Sequence, residues 1–264
     1  MIFALFAMAA LSWLISILFW IVSSHPSPRR TPLIAGTAIL LAAGVISIIQ
    51  DLRSIILRLG APDSGISISI NDVSNWYQLR YSRSGSSFLT ANELHIPVGS
   101  AVTIDWHGPN LVGWSAHDFL DLSGRTHFIA RNPGIDEAWL FRLWPAPRHR
   151  RLRIVAESPP AFEQWYANQV RPATQSSESL FTSCGCSYCH VIRGVAEKPW
   201  KLAPDLTHFA VRHTIAATSV PNRRGFLAGW IVDSRGLQPS SEMPPNRLDP
   251  VVLHQLLKYL ESLR

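Results

Sequence analysis

Two long runs without a charged side chain dominate the start of this sequence. Residues 2–23 are 22 uncharged, mostly apolar residues, and residues 31–50 are 20 more. At ~1.5 Å of rise per residue, either run as a helix reaches across the ~30 Å of a hydrocarbon core. The pattern therefore predicts transmembrane helices at about 2–23 and 31–50. A cleaved leader is the rival for the first run, but it wants a positive start, and Met1-Ile2-Phe3-Ala4 offers none. A buried core helix is the rival for the second. The loop His25-Pro26-Ser27-Pro28-Arg29-Arg30 carries two arginines, which the positive-inside tendency assigns to the cytoplasm. Arg53 and Arg58 weigh the other way. The expectation is a two-span hairpin in a bacterial inner membrane, among membrane lipids. Both termini and everything after Asp51 are then periplasmic.

Composition removes several classes. Of 264 residues, 47% are hydrophobic and 16% charged, which excludes a disordered chain. All three cysteines fall between 184 and 189, so no disulfide framework spreads over the molecule. The net charge is +6, yet the densest basic group is only Arg148, Arg150, Arg151 and Arg153. That group reads as a solvated edge strand or as a basic face for an anionic lipid surface or an acidic partner, and no nucleic-acid partner is expected.

After Gly60-Ala61-Pro62 the periodicity becomes two. Ile66, Ile68 and Ile70 alternate with Ser67 and Ser69, the pattern of a half-buried strand. Further strands are expected at 76–81, 93–97, 101–106, 127–130, 138–143 and 152–156. Turn residues such as Asn132-Pro133-Gly134 separate them. Short strands at this spacing predict a β-sandwich over 63–157. His95, His107, His117, His127 and His149 lie in it without ligand spacing, and are read as scattered rather than as a copper or zinc site. The tryptophans Trp76, Trp106, Trp114, Trp139 and Trp144 are read first as packing residues, with a place beside a redox path left open for Trp76-Tyr77.

The C-terminal segment carries the chemistry. Cys186-Ser187-Tyr188-Cys189-His190 is C-x-x-C-H, the attachment signature of c-type haem. Two thiols at this spacing reach the two vinyl groups of one porphyrin, and the next residue offers its imidazole to the iron. A redox dithiol is the rival reading. A second axial ligand is then required. Met243, in Pro239-Ser240-Ser241-Glu242-Met243-Pro244-Pro245, is the only methionine after Met8. Prolines restrict the backbone around it. His208, His213 and His254 compete for the same role, and Cys184 is read as incidental. Asp249-Pro250 reads as a cap and first turn of a helix to Leu263, with Val252, Leu256, Tyr259, Leu260 and Leu263 on one face. Residues 158–179 read as a linker containing a short helix over 161–170.

The stretches "NWYQLRY", "TANELHIPVG" and "RIVAESPPAFEQWYANQ" resemble the cupredoxin domain of cytochrome c oxidase subunit II. Two spans followed by that domain, with a fused cytochrome c, is the layout of the caa-type members. The resemblance implies a Greek-key cupredoxin-like sandwich and an all-α class I cytochrome c domain over 180–264. It also implies that Ala203-Pro204-Asp205-Leu206 is the family's proline stretch, with the Pro204 carbonyl orienting the proximal imidazole. The family's binuclear copper centre needs two cysteines and a methionine. Residues 51–160 contain neither, so copper A is expected to be absent. In the copper loop's place the chain reads Trp139-Leu140-Phe141-Arg142-Leu143-Trp144. The family's membrane glutamate is missing too, since the first glutamate is Glu93.

The expected function is therefore that of an electron-transfer subunit with no catalytic residues of its own. One covalent haem c, held by Cys186, Cys189, His190 and Met243, would pass electrons directly to the catalytic subunit I of a haem–copper oxidase. A subunit III and an electron donor, either a soluble cytochrome c or an upstream complex, complete the expected partners. The alternatives are a membrane-anchored cytochrome c carrier, the haem c subunit of a nitric oxide reductase-like complex, and an assembly subunit whose haem takes no part in turnover.

Overall fold

The computed structural model divides into two compact units, Met1–Gly60 and Ala61–Arg264. It describes residues 44–45, 63–73, 75–107, 111–116, 119–121, 125–142, 148–174, 178–197 and 202–264. Everything below concerns these residues.

Ten strands build two five-stranded sheets. The first contains β1 (Asp63–Val73), β2 (Trp76–Arg83), β3 (Ser86–Ala91), β5 (Ala101–His107) and β8 (Arg125–Phe128), in the order β3-β2-β1-β5-β8. The second contains β4 (Glu93–Pro97), β6 (Leu111–Ala116), β7 (Phe119–Asp121), β9 (Gly134–Arg142) and β10 (Arg148–Glu157), in the order β4-β10-β9-β6-β7. Two of the pairings, β1 with β5 and β4 with β10, are parallel, so each sheet is mixed.

The isoleucine alternation places its apolar set inward. Ile66, Ile68 and Ile70 are at most 2% exposed, and each such burial contributes about 1.5–3 kcal/mol. Ser84 and Gly85 both take positive φ (48° and 84°) in the turn between β2 and β3, the backbone twist a two-residue hairpin turn requires. Tyr81 lies in the core between the sheets. Its hydroxyl donates to the His95 carbonyl at 2.9 Å and accepts the His95 N–H at 2.8 Å, so a buried phenol is fully partnered.

Helix α1 (Pro159–Val170) starts with prolines in its first turn, where no intrahelical donor is lost. Its Phe162 and Tyr166 are buried in the sandwich core. Arg83 clamps it to the sheet, donating to both carboxylate oxygens of Glu163 at 2.6 and 2.7 Å with its guanidinium 4.1 Å from the Tyr166 ring centre.

The remainder packs around a second cluster that includes Phe181, Ile192, Leu206, Leu227, Leu256 and Leu260. Its helices are α2 (Glu178–Ser183), α3 (Arg224–Val232), α4 (Ser234–Leu237) and α5 (Pro250–Ser262). Asp249 caps the last of these by accepting the Val251 N–H at 2.8 Å. Leu256, Tyr259, Leu260 and Leu263 are all buried.

Two expectations are corrected here. The C-terminal residues do not form an all-α cytochrome domain. They contain a β-pair, β11 (Thr214–Ile215) with β12 (Val220–Pro221), and two 3-10 turns, and α2 and α4 span only six and four residues. Pro204, Pro221, Pro239, Pro244 and Pro245 punctuate this segment, and each removes a backbone donor and stops helix growth. The second correction concerns the membrane. Among the described residues no helix is long and apolar enough to cross a bilayer. The two-span hairpin, and with it the inner-membrane placement with periplasmic termini, is therefore not supported. The runs 2–23 and 31–50 on which it rested lie outside the described residues, apart from Gly44 and Val45. That expectation rested on the length and apolarity of the two runs, the Arg29-Arg30 loop and the layout implied by the resemblance.

Candidate functional site

Helix α2 delivers the chain to the cysteine motif. Gly185 follows with φ of 76°, the left-handed conformation glycine adopts without steric cost, and a 3-10 turn over Cys186–Tyr188 begins there. The Cys186 carbonyl accepts from both the Cys189 and His190 N–H groups, at 3.2 and 2.9 Å. This turn presents Cys186 and Cys189 three residues apart, both as free half-buried thiols. Burial, and then the neighbouring Cys184, push the Cys186 thiol up to about 11, so it is held as S–H at neutral pH.

His190 is the next residue. Its Nδ1 donates to the Pro204 carbonyl at 2.8 Å. Burial lowers its pKa, and the Arg212 guanidinium pushes the same way against the Pro204 bond. The ring is therefore neutral, with its proton on Nδ1 and a lone pair on Nε2. A neutral imidazole fixed by a carbonyl at one nitrogen is what a metal-ligating histidine requires at the other. Asp205 strengthens the following turn, accepting the Thr207 N–H at 2.9 Å.

Met243 is half-buried on a loop fixed at both sides. Ser234 Oγ donates to its carbonyl at 2.7 Å, and its N–H donates to Ser241 Oγ at 3.2 Å. Three residues later Asn246 Nδ2 donates to the Cys184 carbonyl at 2.9 Å. The methionine loop is thus tied to the chain entering the cysteine motif. The competing histidines have other engagements. His208 Nε2 donates to the Arg171 carbonyl at 2.9 Å, His213 Nδ1 bonds Glu93, and His254 Nδ1 accepts from Arg224 at 3.2 Å.

A second constellation was not anticipated. Glu93, at the start of β4, is 1% exposed. Its Oε1 accepts from the Thr214 N–H and hydroxyl, both at 2.7 Å, and its Oε2 accepts from His213 N–H at 3.0 Å and Nδ1 at 3.1 Å. Burial alone would raise its pKa. The bonds from His213, His95 and Thr214 together outweigh that and hold it far below the carboxylate range. His95 sits two residues on, its ring stacked on Trp165 at 4.2 Å and an angle of 6°. Its Nδ1 is 3.2 Å from Glu157 Oε2 and its Nε2 is 3.8 Å from Glu93 Oε2. Burial would lower the His95 pKa, but the two flanking carboxylates raise it. His213 lies 120 residues from Glu93 in sequence, so no local spacing could signal the pairing. The other sandwich histidines whose side chains are described, His107 and His127, do not join it; His127 Nδ1 meets Thr103 Oγ1 at 3.1 Å.

Trp76, the residue left open for a redox path, lines a groove of about 190 Å³ with Tyr77, Trp139, Arg151 and Gln238.

No protein-family model matches the chain. No curated protein matches it in sequence. Among solved structures, one match is described as a novel purple cupredoxin from Nitrosopumilus maritimus, 18% identical, with a TM-score of 0.23. It covers 34% of this chain and 98% of that one.

Proposed function

We propose that this chain is a one-electron carrier: Cys186 and Cys189 would hold a single haem c, and His190 and Met243 would ligate its iron. The observation that carries the reading is the C-x-x-C-H turn, whose histidine is neutral and locked by Pro204 with Nε2 left to ligate. The donor set fits the group. Two free thiols stand on one turn, a neutral imidazole follows, and the loop bearing the scarce thioether is bonded through Asn246 to the chain just before the motif. When bound, the haem supplies an iron centre that accepts and releases one electron, and His/Met ligation favours a high potential.

The chain's own residues hold, orient and expose. Cys186 and Cys189 would anchor the porphyrin by thioether bonds. Pro204 fixes the imidazole plane, and Ser234 and Ser241 fix the Met243 backbone. Tyr188, 72% exposed inside the motif, offers an amphipathic rim where a redox protein can approach. The resemblance to oxidase subunit II supports a finer reading. The acceptor would be the catalytic subunit of a haem–copper oxidase, reached without a copper relay because the sandwich lacks thiolate and thioether donors.

The test is the purified chain, expressed with a c-type cytochrome maturation system. The reading expects one haem resistant to acid-acetone extraction, no copper, and a lower potential in Met243→Ala. Loss of oxygen uptake in that variant of the assembled complex supports the oxidase role. Unchanged uptake assigns the chain to scaffolding instead.

A further inference from the structure

The Glu93, His95 and His213 cluster poses an electrostatic question that the haem reading does not answer. His95 has its Nδ1 against the Glu157 carboxylate at 3.2 Å and its Nε2 toward the Glu93 carboxylate at 3.8 Å. A neutral imidazole can donate to only one of these oxygens. Its other nitrogen would then aim a lone pair at an anion inside the protein, with Trp165 stacked over the ring. Either a second proton on His95 or a metal cation fills that gap.

We propose that Glu93 Oε2, His95 Nε2 and His213 Nδ1 form a binding site for one zinc-class divalent ion. One ligand atom from each of the three residues lies within 4.8 Å of those of the other two. Tetrahedral ligands at about 2.0–2.1 Å from zinc sit ~3.4 Å apart. The separations of 3.1 Å (His213 to Glu93) and 3.8 Å (His95 to Glu93) bracket that value. Two imidazoles and a carboxylate suit a borderline ion such as zinc better than calcium or magnesium, which demand oxygen ligands.

The surroundings have the form of a ligand shell. Glu157 on the far nitrogen of His95 selects the tautomer that leaves Nε2 free, as the outer carboxylate of a ligating histidine does. Glu93 keeps Oε1 for the Thr214 N–H and hydroxyl, so its carboxylate plane stays fixed while Oε2 turns to the ion. His213 has a 41% exposed side chain and gives solvent and ion a way in. To ligate through Nδ1 it must move its proton to Nε2, which a solvent-reached ring can do. The fourth position is left to water. Such an ion would staple β4 of the sandwich to the Thr214–Ile215 strand, across the junction between the two hydrophobic clusters. This site is independent of the haem assignment and would stand if that assignment fell.

The test uses the full chain with its haem attached, or with free thiols alkylated so that zinc cannot bind Cys186 and Cys189. After EDTA treatment it is dialysed against micromolar zinc chloride and its metal content measured. One zinc per chain is expected, with a cobalt(II)-loaded sample showing the intense visible bands of a tetrahedral site. His213→Ala, at a half-exposed position that tolerates truncation, should weaken zinc binding at least tenfold while far-UV circular dichroism stays unchanged. Glu157→Gln should weaken it less, and His127→Ala, elsewhere on the sandwich, not at all. Zinc below a tenth of an equivalent overturns the proposal and leaves the gap to a second proton on His95. Zinc bound equally by His213→Ala overturns it too.

Discussion

Asn246 donates through Nδ2 to the carbonyl of Cys184 at 2.9 Å, joining the loop of Met243 to the chain two residues before the first motif cysteine. The residues are 62 apart in sequence, so the bond ties the two segments that would hold the proposed iron. Its Asn246 N–H also donates to the Ile231 carbonyl at 3.1 Å, so the side chain is held from its own backbone outward. Asn246→Ala should cost about 1 kcal/mol in chemical denaturation, the net value of one such bond. It should also weaken the near-infrared sulfur-to-iron band of the oxidised protein. A full-strength band in that variant would show that Met243 is held without this tie.

Glu93 is expected to be among the most sensitive single positions for stability. Glu93→Ala would strand the Thr214 and His213 N–H donors and the Thr214 hydroxyl, and leave His95 without one of its two carboxylates. Breaking a buried charged network of this kind costs roughly 3–5 kcal/mol. Urea denaturation of the metal-free variant measures it. A loss under 1 kcal/mol would mean the network is replaced by water.

The turn between β11 and β12 holds three consecutive non-glycine residues in left-handed conformation, Ala216 (φ 53°), Ala217 (φ 50°) and Thr218 (φ 71°). Each costs about 1–2 kcal/mol against a right-handed alternative, and glycine escapes that penalty. Ala217→Gly should therefore stabilise the chain by ~0.5–1 kcal/mol, against the ordinary direction of an alanine-to-glycine change. A drop in thermal midpoint would show that the turn is not strained in solution.

Arg83 and Glu163 make the pH-dependent contact most open to test. The Arg83 hydrogen bonds hold the Glu163 carboxyl below its usual value, against a smaller opposing effect of burial. A lowered folded pKa stabilises fully above the unfolded value of about 4.3 and is lost as pH falls through the folded one. Because the glutamate is 56% exposed, the contribution is only ~0.5–1 kcal/mol. Glu163→Gln should be less stable than the natural chain at pH 7, with the gap closing as pH falls through the folded pKa of Glu163. A gap that persists at low pH would assign the effect to packing on Tyr166 instead.

How much of this was legible in sequence depended on whether the signal was local. Ile66, Ile68 and Ile70 announced their strand because one face is buried and the other is not. Strand β3 escaped notice because Phe88, Leu89, Thr90 and Ala91 are all buried, which erases the period of two. Leu111–Ala116 escaped because Gly113 and Ser115 interrupt its apolar run. Asp249 was readable as a cap because its bond reaches only two residues along. The cysteine turn was readable because C-x-x-C-H is a spacing rule. Glu93 and His213 were not, since their contact exists only after the sandwich and the C-terminal segment pack. Reading an all-α domain over 180–264 gave weight to the final helix and too little to the prolines before it.

The most direct test of the electron-carrier account is the intact mass of the chain after expression with a c-type cytochrome maturation system. The account predicts one haem added covalently to a peptide containing Cys186 and Cys189, lost on replacing both cysteines. A matured protein whose Cys186 and Cys189 still react as two free thiols would contradict it.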